Sequence, residues 1–191
     1  MRYLYTLLSL YYYYGILKNI LKNKNRIFKT VTDITQRELN TFEIKVLVLD
    51  FDGVLNAHGE SALHPQVIPW LEHMQAILGS DSIFILSNKP FSERIAFFKE
   101  HFPNIGFIQG VRKKPYPDGL EMIFKIKKLS QAQKQHVVLV DDRILTGMLA
   151  TCTAGCQGFY ISRPYVSLYK RPVIESFFQV IRYAERFCFL V

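Results

Sequence analysis

Cysteine is scarce. The 191 residues hold only Cys152, Cys156 and Cys188, an odd number with no CxxC pair, and no histidine stands at zinc-finger spacing from them. That excludes a disulfide framework and a thiolate zinc site. It is the usage of a reduced, cytoplasmic chain whose thiols are expected to pack as small apolar side chains. Acidic residues are missing from the first thirty positions, which carry Arg2, Lys18, Lys22, Lys24, Arg26 and Lys29. The other eighteen basic residues face sixteen acidic ones, so most of the net charge of +8 belongs to one end. There is no internal repeat, and low complexity is confined to the tyrosine run at 11–14. An apolar content of 49% excludes a disordered chain, and the length favours one domain with a full core.

The amino-terminal arm, residues 1–30, has no charged side chain between Tyr3 and Leu17. That stretch is shorter than the roughly 20 residues of a spanning helix, and no small-residue cleavage site follows it. Tyrosine favours the membrane–water interface, and lysines follow at once. The arm is therefore expected to lie on an anionic membrane surface, making the protein cytoplasmic and peripherally membrane-associated. Packing on its own domain or on a partner chain is the alternative. Nucleic acid is an unlikely partner, because the body carries no basic stripe. Residues 31–191 form the domain proper, and its oligomeric state is not readable.

Within that domain strands and helices alternate. Thr35 and Glu38 have the spacing of a capping box. Lys45 to Asp50 is a non-alternating apolar strand, as in a parallel sheet buried on both faces. Helices are expected over 65–78, 90–101, 117–129, 144–155 and 173–189, and further strands over 82–88, 105–110, 136–142 and 158–162. The fold class is α/β, a Rossmann-like parallel sheet with helices on both faces. Ligands of such sheets bind at the carboxyl ends of the strands. Three strands end there in Asp50-Phe51-Asp52, Ser87-Asn88 and Asp141-Asp142.

Carboxylates gathered at one edge repel each other unless a cation sits among them. An oxygen-only donor set suits Mg²⁺. Asp50, the main-chain carbonyl of Asp52, and Asp142 are candidate ligands, with Asp141 assisting through water. Asp50 is then a candidate nucleophile and Asp52 a general acid and base. Gly53 lets the chain leave the strand sharply. Ser87 is placed to donate to a phosphoryl oxygen, or else to cap the next helix, and Asn88 beside it is a substrate-binding candidate. A lysine of the pair Lys113-Lys114 would neutralise developing charge. Arg143 either binds substrate or makes a surface ion pair.

In their order, DFDGVL, ILSN, KKPYPDGL and VLVDDRILTG resemble the four motifs of the haloacid dehalogenase (HAD) superfamily. More closely the chain resembles subclass IIIA, the YqeG-like proteins related to phosphatidylglycerophosphate phosphatases. The likeness covers about residues 44 to 163. It implies Mg²⁺, an aspartyl-phosphate formed on Asp50, and Lys114 as the catalytic lysine. Members often carry an acidic residue where Gly147 stands and a glycine where Asp141 stands. The spacing from Asp52 to Pro65 and from Ser87 to Lys114 leaves no room for a cap domain, so an open site and a bulky substrate are expected. A phospholipid such as phosphatidylglycerophosphate is the favoured substrate. A soluble nucleotide or sugar phosphate, or a catalytically silent membrane-tethered binding protein, are the alternatives.

Overall fold

The computed structural model describes residues 2–190. Six parallel strands form one sheet in the order β1-β6-β5-β2-β3-β4. They are β1 (Ile27–Phe28), β2 (Val46–Leu49), β3 (Ile83–Ile85), β4 (Gly106–Phe107), β5 (Val137–Asp141) and β6 (Gln157–Ile161). Among the described residues seven α-helices accompany them: α1 (Arg2–Lys22), α2 (Gln36–Thr41), α3 (Val67–Leu78), α4 (Ser92–His101), α5 (Asp118–Ile126), α6 (Leu149–Ala154) and α7 (Pro172–Leu190).

Strand β2 shows why the sheet is parallel and central. All four of its residues are buried, and they divide between two cores. Leu47 and Leu49 meet α3 and α4 through Val67, Leu71, Met74 and Phe98. Val46 and Val48 meet α5 and α6 through Leu120, Ile123, Phe124 and Ala150. A run without alternation is what two covered faces require. The order reverses at β2, since β3 and β4 extend the sheet one way and β5 and β6 the other. The crevice between β2 and β5 is therefore the topological switch point, where ligands of such sheets bind.

Local signals behave as the residues dictate. The Thr35 capping box forms, with Thr35 N–H donating to Glu38 Oε2 at 2.9 Å. Gly79 ends α3 at φ 83°. The expected helix at 144–155 starts instead as a π-helical turn, Ile144–Met148, before continuing as α6. Strand β1 was not anticipated, because two residues carry no periodicity. It pairs with β6 through Ile27↔Tyr160 and Phe28↔Ile161, so the basic arm ends inside the sheet. Helix α1 packs on the domain: Leu17 and Leu21 are buried with Ile144, Met148, Leu149 and Tyr160. Of the thiols, Cys152 is buried, but Cys188 is exposed on α7, against expectation, because that helix turns an apolar face outward.

Candidate active site

Parallel pairing of β2 with β5 puts Leu49 opposite Val140, and Asp50 N–H continues the ladder to Val140 O at 3.0 Å. The residues that follow each strand therefore come together. Carboxylate oxygens of Asp50, Asp141 and Asp142 lie within 4.8 Å of one another, and all three residues are buried. Lys114 Nζ sits between two of them, 2.9 Å from Asp50 Oδ1 and 2.5 Å from Asp141 Oδ2. Lys114 is buried and Lys113 exposed, so position decides which of the pair meets the carboxylates. Asn88 Oδ1 accepts from Lys114 N–H at 2.7 Å, which ties the end of β3 to the lysine segment.

Burial sets the electrostatics. It pushes the Asp50 carboxyl well above the ordinary range; Lys114 pulls it down, and Asp141, Asp52 and Asp142 push it up again. Burial also lifts Asp142 to about 6, against the pull of an arginine, Arg182. Burial would lower Lys114, but Asp141 and Asp50 raise it above the usual lysine value, so it stays charged. Asp50 Oδ1 makes an ionic contact but no aligned hydrogen bond, and Asp142 Oδ1 has no hydrogen-bond partner among the described residues. Unpartnered carboxylate oxygens on a hard-donor cluster fit a divalent cation such as Mg²⁺. Asp141 fits less directly: one oxygen holds Lys114 and the other accepts from Arg143 N–H at 2.9 Å. A cavity of about 460 Å³ opens above the cluster, with Asp50, Asp52, Asn88, Asp142 and Arg143 among its lining residues.

A family profile described as mitochondrial PGP phosphatase matches residues 16–166. The chain belongs to that family. PGP stands for phosphatidylglycerophosphate, and membership makes the protein a phosphatase by family. No curated protein and no solved structure matches it. The span matched in this PGP phosphatase family member holds Asp50, Asp52, Ser87, Asn88, Lys114, Asp141, Asp142 and Arg143.

The remaining candidates have specific surroundings. Gly53 adopts φ +86°, and a Cβ there would stand 2.7 Å from Asp142 Oδ2. Glycine thus serves close approach as well as the turn. A Cβ at Gly147 would collide with the Asp141 carboxylate. Glycine at 147 therefore leaves the room that the Asp141 side chain occupies. Ser87 Oγ accepts from Lys89 N–H at 3.2 Å, a local turn and not the cap of α4. Asp52 is held by Arg94, whose Nη2 and Nη1 donate at 2.6 and 3.1 Å. Burial raises the Asp52 carboxyl, but Arg94 outweighs it and holds the group below its ordinary value. Arg143 is bound by Glu185 at 2.8 Å.

Sequence reasoning missed Arg94, Arg182 and the role of α7. Arg94 is fully buried and stacks 3.9 Å from the Phe51 ring; its only signal was a charge on an apolar face of α4. Arg182 Nε donates to Asp142 Oδ2 at 2.5 Å, while both Nη atoms are buried with no hydrogen-bond partner among the described residues. Helix α7 lies beyond the matched span, so this PGP phosphatase family member draws part of its site from outside it. The other terminus contributes too: Arg2 Nε and Nη2 donate to Lys114 O at 2.9 and 2.5 Å, and Tyr5 stacks on Tyr116 at 4.1 Å.

Proposed function

We propose that the chain is a Mg²⁺-dependent phosphomonoesterase of HAD type, acting on a phospholipid such as phosphatidylglycerophosphate. The observation that carries this is the cluster itself: three buried carboxylates within 4.8 Å of one another, with Lys114 between Asp50 and Asp141. Asp50 and Asp142, with the carbonyl of Asp52, would hold the cation, and Asp141 supports them by fixing Lys114. Bound there, Mg²⁺ would neutralise the carboxylates and polarise phosphoryl oxygens.

Asp50 attacks phosphorus, and the bond from phosphorus to the alcohol oxygen breaks, leaving an aspartyl-phosphate. Asp52 donates the proton that the leaving alkoxide needs, then takes one from the water that attacks the aspartyl-phosphate. Inorganic phosphate leaves and Asp50 is regenerated. The bidentate pair with Arg94 keeps Asp52 ionised at rest. Its acid role therefore requires substrate to loosen that pair and Asp52 to take up a proton, from water or from the singly protonated phosphate of the substrate, before the bond breaks. Lys114, Ser87 and the free Nη atoms of Arg182 are donors for phosphoryl oxygens. Asn88 positions Lys114, Gly53 lets substrate and Asp142 approach, and Arg143 faces the cavity for a second polar group.

The walls suit a lipid. Among the described residues no cap domain interrupts the chain, and α1, which lines the cavity through Tyr3 and Thr6, exposes Tyr3, Leu4, Leu7, Leu8, Tyr11 and Tyr12. We place this face of residues 1–30 on a membrane surface, with residues 31–191 as the catalytic domain. The family's description makes a mitochondrial membrane the first to test. The direct assay is phosphate release from phosphatidylglycerophosphate in detergent micelles with Mg²⁺, beside a panel of soluble phosphomonoesters and the Asp50→Asn variant. Release that needs Mg²⁺ and Asp50 and favours the lipid is expected. Turnover confined to nucleotide or sugar phosphates would remove the lipid claim, and turnover surviving Asp50→Asn would remove the mechanism.

A further inference from the structure

Helix α7 is amphipathic the wrong way round for a helix facing water. Its buried side chains include Glu175, Arg182 and Glu185, which reach toward the site. Its exposed ones include Val173, Phe177, Val180, Tyr183 and Phe187, at helical spacings of 4, 3, 3 and 4 residues, and so one stripe. Each of the five is at least 60% exposed. A stripe of that size left in water marks a surface that something covers.

We infer that this stripe docks on an anionic phospholipid bilayer, and that α7 and α1 together form one lipid-facing surface around the mouth of the active site. The inference rests on the lipid-phosphatase reading above. Three observations select a bilayer as the occupant. The helices are neighbours, with the Tyr14 and Phe189 rings 6.0 Å apart, so their outward faces join. The joined surface has the charge an anionic membrane attracts: α1 carries Arg2, Lys18 and Lys22 and no acid, and the only acids of α7, Glu175 and Glu185, are buried. Both helices also line the cavity, α1 through Tyr3 and Thr6, α7 through Phe177, Phe178 and Ile181. A lipid headgroup rising from a bilayer would enter between them while its acyl chains stay in the membrane. Among the described residues no helix is long and apolar enough to cross a membrane, so the surface fits the plane of the bilayer.

Flotation of the full chain with phosphatidylcholine vesicles, with and without phosphatidylglycerol, tests this. The variant is Val180→Glu/Phe187→Glu, two stripe positions that do not line the cavity, with Val180→Leu/Phe187→Leu as its conservative partner. Wild type and the leucine variant are expected to float with the phosphatidylglycerol vesicles. The glutamate variant should bind them at least about tenfold more weakly, with unchanged thermal unfolding and unchanged turnover of p-nitrophenyl phosphate. Equal binding by all three chains, or no binding by wild type, overturns the inference. So does a glutamate variant that still floats but sediments as a monomer where wild type is a dimer, since the stripe would then join two copies. If flotation follows the expected pattern but no chain releases phosphate from any substrate, the catalytic reading fails and the docking surface stands.

Discussion

Helices α5 and α7 are both amphipathic, and they are turned opposite ways. Helix α5 buries Leu120, Ile123 and Phe124 against the sheet and leaves Glu121 and Lys125 in solvent. Helix α7 buries two glutamates and an arginine and leaves its apolar stripe outside. Periodicity alone cannot tell these arrangements apart, because it gives the stripe and not its direction. What decides is whether the buried charges have partners. Arg182 meets Asp142, Glu185 meets Arg143, and Glu175 accepts from His58 N–H at 3.1 Å. For Arg182 and Glu185 charge is tolerable inside because the site already holds the opposite charge, while Glu175 is held by the main-chain N–H groups of His58 and Ser167.

The largest effect expected is a direct contrast of the two helices. Ile123→Glu in α5 buries an unpaired carboxylate and should cost about 3–5 kcal/mol of stability, whereas Val180→Glu in α7 should stay within about 0.5 kcal/mol. Urea unfolding reads both, and equal losses would break the comparison. Next, Arg182→Met removes the one buried charge that α7 gives to Asp142. Turnover should fall by about a hundredfold, with more Mg²⁺ needed and the acid limb of the pH–rate profile moved up, because Asp142, already at about 6, loses the group that lowers it. An unchanged profile would confine α7 to packing. Gly147→Ala puts a methyl group into the Asp141 carboxylate and should cost about 1–3 kcal/mol and most of the activity. The exchange Asp141→Gly/Gly147→Asp should recover part of both, measured as melting temperature and initial rate.

The smallest effect concerns His58, stacked on Phe178 of α7 at 4.1 Å. Burial lowers its pKa from 6.5 to about 4, against the pull of Asp52. The folded state therefore binds fewer protons than the unfolded one between those values. Its contribution is present above pH 6.5 and is lost as pH falls toward 4. His58→Asn should flatten that loss by roughly 2 kcal/mol, followed as melting temperature across the window.

The sheet and its acidic edge were legible in the sequence because strand runs that end in aspartate are local signals. Val46–Leu49 and Val137–Asp141 each announce burial on both faces, and the carboxylates follow at once. The cations were not equally legible. Lys114 sits in a motif, but Arg94 and Arg182 come from helices 42 and 40 residues away from the aspartates they pair with. Nothing local distinguishes such an arginine from a solvated one. The glycine at 147 was visible in the sequence, and only the fold explains it, since the Asp141 carboxylate occupies the space a side chain there would need. The contact of α1 with the lysine segment, through Arg2 and Tyr5, is likewise a tertiary fact.

Trapping a covalent intermediate would show whether Asp50 carries the phosphoryl group. The protein would be mixed with phosphatidylglycerophosphate and Mg²⁺, quenched in acid within a single turnover, digested and weighed by mass spectrometry. The peptide that holds Asp50 should be heavier by one phosphoryl group, and that increment should vanish in Asp50→Asn or when Mg²⁺ is chelated. A phosphoryl group found on another residue, or lipid phosphate released at full rate with no phosphorylated peptide at any quench time, would contradict it.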